Sequence, residues 1–294
     1  MYLIFDIGGT STKVGIIDNE KIIEKFSELR KDSLEEFVNF LDNEILRCKE
    51  KYNIKGIGFS SPGTVDSVTG NIGGISALDY IHTFNFAKHL QDKHNLPVAI
   101  ENDANCAALA QLYFDNPKEK LIAFFIIGSG IGGAIIKDGK LMKGRRLETG
   151  EFGYMLLKNE DGQYTNMSQL STMPNVVRRL KEKHNIEEKP HIVLEKYFEK
   201  EEPYYSEVNS MFEYLCMGIY NIQYSLDPEI IYIGGGISQS ESFLEELNNR
   251  LKQGIFADAD VNIKAATFHN DNNIYGAYAN LLNTIKEGKK LCTQ

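Results

Sequence analysis

The chain has 294 residues, 42% hydrophobic and 25% charged, with a formal charge of −9. That composition fits an ordinary soluble protein with room for one large domain or two of usual size. The acidic balance excludes a broad nucleic-acid surface, where basic residues must neutralise phosphates, but leaves open nucleotide binding, which needs only a few local donors.

Cys48, Cys106, Cys216 and Cys292 are far apart with no Cys-x-x-Cys pair, a pattern that fits a reduced cytoplasm and forms neither a disulfide framework nor a zinc cluster. The six histidines show no metal-ligand spacing. MYLIFD meets an acid at Asp6, too soon for a signal-peptide core. The longest apolar run, LIAFFIIGSGIGGAII, is too short and glycine-rich for a membrane span. The expected location is the cytoplasm, with no membrane partner.

In chain order, Phe5 to Ile22 reads as an apolar strand, the turn DIGGT, a second strand and a closing Asp18-Asn19 hairpin signal. Ser33 to Lys51 places Leu34, Phe37, Val38, Leu41 and Ile45 on one helical face, with Ser33 and Glu36 spaced as a capping box. IKGIGFSS is a buried strand running into Pro62-Gly63. LPVAIEND is another, ending at acids, and ANCAALAQLYF follows as a helix. Phe125 to Leu141 repeats the opening pattern through GSGIGG and Asp138-Gly139. Two such hairpins about 120 positions apart suggest two related domains.

Residues 181–204 are charged, with two prolines, and read as surface helices and loops. Val208 to Leu226 is a long apolar-faced helix, EIIYIGGGIS a strand entering a glycine turn, Ser240 to Gln253 a helix, and IYGAYANLLNTIK a closing helix. Strands alternating with helices predict an α/β protein. The expected domains are 1–116 and 117–273, hinged near 114–120, with 274–294 a candidate to cross back to the first.

Three glycine turns and two acids carry the chemistry. A carboxylate ending a buried strand before glycines, as in DIGGT, lets backbone N–H groups approach a phosphate. Asp6 would face Mg²⁺, directly or through water, and Thr10 would add a hydroxyl. Taken singly, DIGGT, GSGIGG and IGGG fit plain tight turns equally well. Together they suit three nests for a nucleoside triphosphate, although neither the P-loop nor the dinucleotide fingerprint is present. Asn102-Asp103 sits where a strand ends and a helix begins, so it could simply cap the helix. Alternatively Asp103 is a general base, kept ionised by the helix dipole, with Asn102 holding the acceptor hydroxyl. Lys13 is either solvated or near phosphate, and Arg145 and Arg146 read as a solvent-facing turn.

The colinear segments DIGGTSTKVG, SSPGTVDSVTG, IENDANCAALAQ, IGSGIGGAIIKDGKL, GEFGYM and IYIGGGIS strongly resemble the ROK family of sugar kinases and sugar-responsive repressors, from Tyr2 to about Leu282. The resemblance implies a two-domain actin-like ATPase (ribonuclease H-like) fold with an interdomain cleft, ATP and Mg²⁺ as cofactors, and a homodimer. It makes Gly8, Gly9, Thr10, Gly128, Ser129, Gly130 and Gly132 parts of two phosphate loops, and Gly234, Gly235 and Gly236 the adenosine loop. Asp103 falls on the catalytic base and Asn102 on a sugar-hydroxyl ligand. Gly63 would line the sugar pocket, and Glu151 falls on the glutamate of a G-E-x-G-H motif that bonds hydroxyls near the anomeric end.

The chain departs from that family at Tyr154, where the usual histidine touches sugar and ligates a structural zinc. The downstream stretch EDGQYTNMSQLSTMPNVVRR has no cysteine, and Ser168 stands where a further glutamate is usual. No zinc is expected, so packing must hold this segment. Tyr154 would either pack in the core or stack its face on a sugar ring or a C1 substituent. The zinc-free GEFGYM pattern resembles the branch acting on β-glucosides such as cellobiose at the 6-hydroxyl, with glucokinase and N-acetylmannosamine kinase as alternatives. A repressor would carry a helix-turn-helix before DIGGT, whereas that strand begins at Tyr2. A non-catalytic sugar-binding regulator is disfavoured by the intact Asp6, Asp103 and Glu151.

Overall fold

Alternating apolar residues near the N-terminus become β1 (Tyr2–Ile7), β2 (Ser11–Asp18) and β3 (Lys21–Leu29) in the computed structural model, which describes residues 1–158, 161–267 and 271–292. β2 turns into β3 through Asn19 and Glu20, both left-handed with φ of 46° and 65°, the twist that two-residue hairpins favour. α1 (Leu34–Lys51) starts at Ser33, whose hydroxyl accepts the Glu36 N–H at 3.2 Å. The Glu36 carboxylate accepts the Asp32 amide at 3.2 Å, one residue earlier than the capping box reads from sequence. Next come β4 (Ile57–Ser61), the small hairpin β5 (Thr64–Val65) with β6 (Ile72–Gly73), α2 (Phe86–His94), β7 (Val98–Asn102) and α3 (Asp103–Asp115).

The chain then repeats the plan with β8 (Leu121–Ile127), β9 (Ile131–Lys137) and β10 (Lys140–Leu141). The hairpin β11 (Leu156–Lys158) and β12 (Tyr164–Asn166) leads into α4 (Met167–Leu170), α5 (Met173–His184), α6 (Pro190–Phe198) and α7 (Tyr204–Leu226). β13 (Ile230–Gly234), α8 (Glu241–Leu251), β14 (Ile263–Ala265) and α9 (Asn272–Lys286) complete the order. The sequence patterns above do not give α2 and α5. Both are short helices with large polar fractions; α2 follows an irregular stretch and α5 starts two residues after α4.

Among the described residues, 1–117, 143–148 and 271–292 form one unit, and 118–142 with 149–267 form a second. In the first unit the sheet order is β3-β2-β1-β4-β7, with β1, β4 and β7 parallel and the opening hairpins antiparallel. The second unit has β10-β9-β8-β13-β14 with the same alternation of sense. Strand for strand this is one plan used twice. β4 is buried at every position, as expected for a strand covered on both faces.

Phe5, Phe37, Phe59 and Phe86 centre the first core, Phe5 and Phe59 stacking at 5.2 Å. α9 packs on α3, β4 and β7 within that unit. The second core gathers Phe125, Phe152, Met167, Phe212 and Phe243.

Candidate active site

The strand pairing of the first unit assembles its acids. Antiparallel pairing puts Lys13 across from Asp6, and parallel pairing puts Ser60 beside it. Asp6 is buried. Its Oδ1 accepts the Ser60 hydroxyl at 2.9 Å and the Asn273 amide at 3.1 Å, and its Oδ2 lies 3.5 Å from Lys13 Nζ. One oxygen thus carries two donors, and the other faces a cation, which offsets the cost of burying charge.

Asn102 caps α3: its Oδ1 accepts the N–H groups of Ala104 at 3.0 Å and Asn105 at 3.2 Å. Its Nδ2 donates to the Gly63 carbonyl at 3.0 Å. Capping and a ligand role are therefore compatible, because an amide NH₂ has a second hydrogen to offer. Gly63 itself has φ of 95°, and a Cβ there would come within 2.8 Å of the Gly73 carbonyl.

Asp103, the first residue of α3, has Oδ1 accepting the Ala104 N–H at 2.8 Å. Here burial works against the helix dipole without protonating the group at neutral pH. Burial, reinforced by the charge of Asp6, pushes the Asp103 carboxyl up to about 6, and the N–H bond only partly opposes this. Desolvation outweighs the dipole because Asp103, among the described residues, has no ion pair of its own.

The glycine turns are also more constrained than their composition implies. The Gly8 N–H donates to the Ser11 carbonyl at 3.0 Å, and the Gly128 N–H to the Gly130 carbonyl at 2.9 Å. Both amides close their own hairpins and are not offered to a phosphate. Gly9 and Thr10 lie at the tip of the first turn, with Thr10 exposed. Ser129 and Gly130 form the second tip, whereas Gly132 is in the β8–β9 ladder opposite Ile126. After β13, Gly235 has φ of 90°, and a Cβ on it would lie 2.0 Å from the Ile127 carbonyl. Gly234 ends β13, and Gly236 has open space around its Cβ position.

The TGEFGYM stretch folds as a single turn, Phe152–Tyr154, entered through Glu151. The turn sends Phe152 inward to stack on Phe125 at 6.2 Å and leaves Tyr154 70% exposed. A core role for Tyr154 is therefore excluded. Glu151 is half-buried. Gly153 lies against β9, where a Cβ would sit 2.1 Å from the Ile131 carbonyl and 2.3 Å from Ser168 Oγ. Ser168 Oγ in turn accepts the Ile131 N–H at 2.9 Å.

Among the described residues no group of three or more His, Cys, Asp or Glu could hold a metal ion, so the donor set does not fit a structural zinc. What holds the segment is the β11–β12 hairpin, Asn166 capping α4 at the Gln169 N–H, and the fully buried Met167. Met167 lies so close to α7 that a Cβ on Gly218 would meet its Cε at 2.2 Å.

Sequence reasoning missed Ser60 and Asn273, the two donors to Asp6. Ser60 could have been found by aligning its strand with DIGGT, since parallel register pairs Asp6 with Ser60. Asn273 comes from a helix 267 residues away, with no local signal.

Two sheets of one plan, each with a glycine turn in its first hairpin, define an actin-like ATPase fold. The ROK family profile matches residues 2–284. A β-glucoside kinase of Listeria innocua is 34% identical over 290 residues, covering 95% of this chain and 96% of that one. A ROK family protein of Streptococcus pneumoniae, solved in complex with sucrose, superposes with a TM-score of 0.87 at 34% identity, covering 97% and 99% of the two chains. A Listeria monocytogenes protein, proposed to be an N-acetylmannosamine kinase, gives 0.86 at 31%, with coverage of 97% and 99%. The chain belongs to the ROK family. No helix among the described residues is long and apolar enough to cross a membrane.

Proposed function

We propose that this carbohydrate kinase transfers the γ-phosphate of ATP to the 6-hydroxyl of a hexose, with a β-glucoside such as cellobiose as the favoured acceptor. The observation that carries the reading is Asp103: a carboxyl at a strand–helix junction, raised toward neutrality by burial, beside an amide held by the Gly63 loop. Asp103 accepts the proton of the attacking hydroxyl, and Asn102 orients the sugar with its remaining amide hydrogen. In phosphoryl transfer such a base mainly orients the nucleophile. Glu151 bonds hydroxyls near the anomeric carbon.

The amides at the tips of the two glycine turns, Gly9 with Thr10 and Ser129 with Gly130, hold phosphate oxygens, and Gly234 to Gly236 flank the adenosine. Asp6 would hold Mg²⁺, directly or through water, and the bound ion would offset charge on the β- and γ-phosphates. Lys13, 3.5 Å from Asp6 Oδ2, helps orient that carboxylate.

Tyr154 supplies an exposed flat face for a C1 substituent, which favours the β-glucoside over free glucose. The names of the Listeria innocua and Klebsiella pneumoniae relatives, both β-glucoside kinases, support that choice. N-acetylmannosamine and N-acetylglucosamine are the competing acceptors, suggested by other relatives. The protein works in the cytoplasm as a homodimer, without zinc, nucleic acid or membrane.

The test is coupled ADP release over cellobiose, other β-glucosides, glucose, N-acetylmannosamine and N-acetylglucosamine. Cellobiose is expected to give the highest kcat/KM, and no sugar-dependent turnover with any of them would refute the reading. Tyr154→Ala should raise KM for cellobiose about fivefold while changing that for glucose much less, as expected for loss of one stacking face of ~1 kcal/mol. Equal effects on both sugars would remove Tyr154 from the pocket. Elemental analysis of purified protein should find no stoichiometric zinc, and chelator treatment should leave the urea midpoint unchanged.

A further inference from the structure

The basic turn after β10 contains a lysine that the kinase reading leaves without a task. Residues 143–148 group with the first unit, although the chain on either side belongs to the second. Lys143 Nζ lies 2.5 Å from Glu101 Oε2 and 2.9 Å from the Ser67 hydroxyl. Glu101 is 1% exposed. Its other oxygen accepts the Asn102 N–H at 2.9 Å and the Asn105 side-chain amide at 3.0 Å.

Glu101 therefore grips the chain on both sides of Asp103, by the backbone just before it and the side chain two residues after. A carboxylate removed from water this completely is costly unless paired and fully hydrogen-bonded. Lys143 is its cation. The neighbouring Asp6 has Lys13. Lys143 also ties the turn to Ser67, in the loop that Asp66 closes by accepting the Val68 N–H at 2.9 Å and the Thr69 hydroxyl at 2.8 Å.

We propose that Lys143 is a positioning residue for phosphoryl transfer: acting through Glu101, it holds the Glu101–Asn105 turn so that the Asp103 carboxylate and the Asn102 amide keep their working orientation. Lys143 touches neither sugar nor nucleotide in this role. Lysine suits the task because a compact ammonium with several donors can serve one carboxylate oxygen and one hydroxyl at once. The proposal rests on the assignment of Asp103 as base.

The experiment is a double-mutant cycle with Lys143→Met, Glu101→Gln and the two together, read by sugar-dependent ADP release. Lys143→Met is expected to lower kcat about 10- to 100-fold, the scale of small misplacements of a reacting group, with KM for ATP little changed. In the Glu101→Gln background, where no buried charge needs a cation, the same change should cost far less. An undiminished cost in that background, or wild-type kcat in Lys143→Met, would overturn the proposal. Lys143→Gln, whose amide still reaches one carboxylate oxygen, serves the same cycle if the methionine variant is insoluble. Wild-type turnover tests the kinase reading separately. Amide hydrogen exchange at residues 102–106 reads the turn without turnover and should accelerate in Lys143→Met while β1 stays protected; unchanged exchange there would count against the proposal.

Discussion

Asp103→Asn is expected to abolish sugar phosphorylation and, at neutral pH, to leave a more stable protein. Loss of a general base costs about 10²- to 10⁴-fold in rate. The stability gain follows from the sign of the pKa shift. The folded carboxyl is raised from 3.8 to about 6, mainly by burial and then by Asp6, so the folded state binds the proton more tightly than the unfolded one. Stability from this group is complete below the unfolded value and is lost as pH rises to about 6. Asparagine stays neutral throughout, and its Oδ1 can still accept the Ala104 N–H.

A shift of about two units corresponds to about 3 kcal/mol at 1.36 kcal/mol per unit, to be taken as an upper figure because the carboxyl keeps some solvent contact. Urea titrations at pH 7.5 and pH 4 check this: the variant's advantage should be present at the first and nearly absent at the second. An Asp103→Asn variant less stable than wild type at pH 7.5 would contradict the burial argument. The same shift places the acid limb of kcat/KM near pH 6, with turnover falling as the base is protonated.

The second large effect is expected at Gly153→Ala. Its methyl would lie 2.1 Å from the Ile131 carbonyl and 2.3 Å from Ser168 Oγ, distances at which something must move. Overpacking of this kind costs about 1–3 kcal/mol or more. Displacing Ser168 also removes the hydroxyl that accepts the Ile131 N–H, a further ~1 kcal/mol for a buried donor left unmade. Because Ile131 follows the GSGIGG tip, kcat/KM for ATP should fall along with stability. Ser168→Ala alone should show only the smaller loss. The combined variant should recover little, because the backbone carbonyl remains in the way. A Gly153→Ala protein with an unchanged urea midpoint would show that the turn is looser than these distances require.

The fold was legible where the signals were local. Turn signals at Asp18-Asn19, one residue before the left-handed pair Asn19-Glu20, and at Asp138-Gly139, glycines at hairpin tips and apolar strand runs marked both sheets, and the repeated hairpin anticipated the repeated strand order. The acids Asp6 and Asp103 were legible because each ends a strand beside a helix start or glycine turn. Other features depend on contacts that only tertiary structure creates. Composition could not reveal that Gly8 and Gly128 use their own amides to close their turns. Nor could the helix-terminus rule anticipate the raised pKa of Asp103, since burial and Asp6 act across the fold. Glu101 finds its cation 42 positions later, in a turn that reads from sequence as plain solvent-facing charge. Tyr154 shows the opposite case: a three-residue turn turns Phe152 inward and Tyr154 outward, where sequence alone left both placements open.

The most direct test of the kinase reading is the product itself. With Mg²⁺-ATP and cellobiose, phosphorus–proton correlation NMR should show ADP formed together with a phosphomonoester on the 6-methylene of the glucosyl ring, and neither in Asp103→Asn. Formation of ADP with only free orthophosphate, or no ADP in the presence of any sugar of the panel, would contradict it.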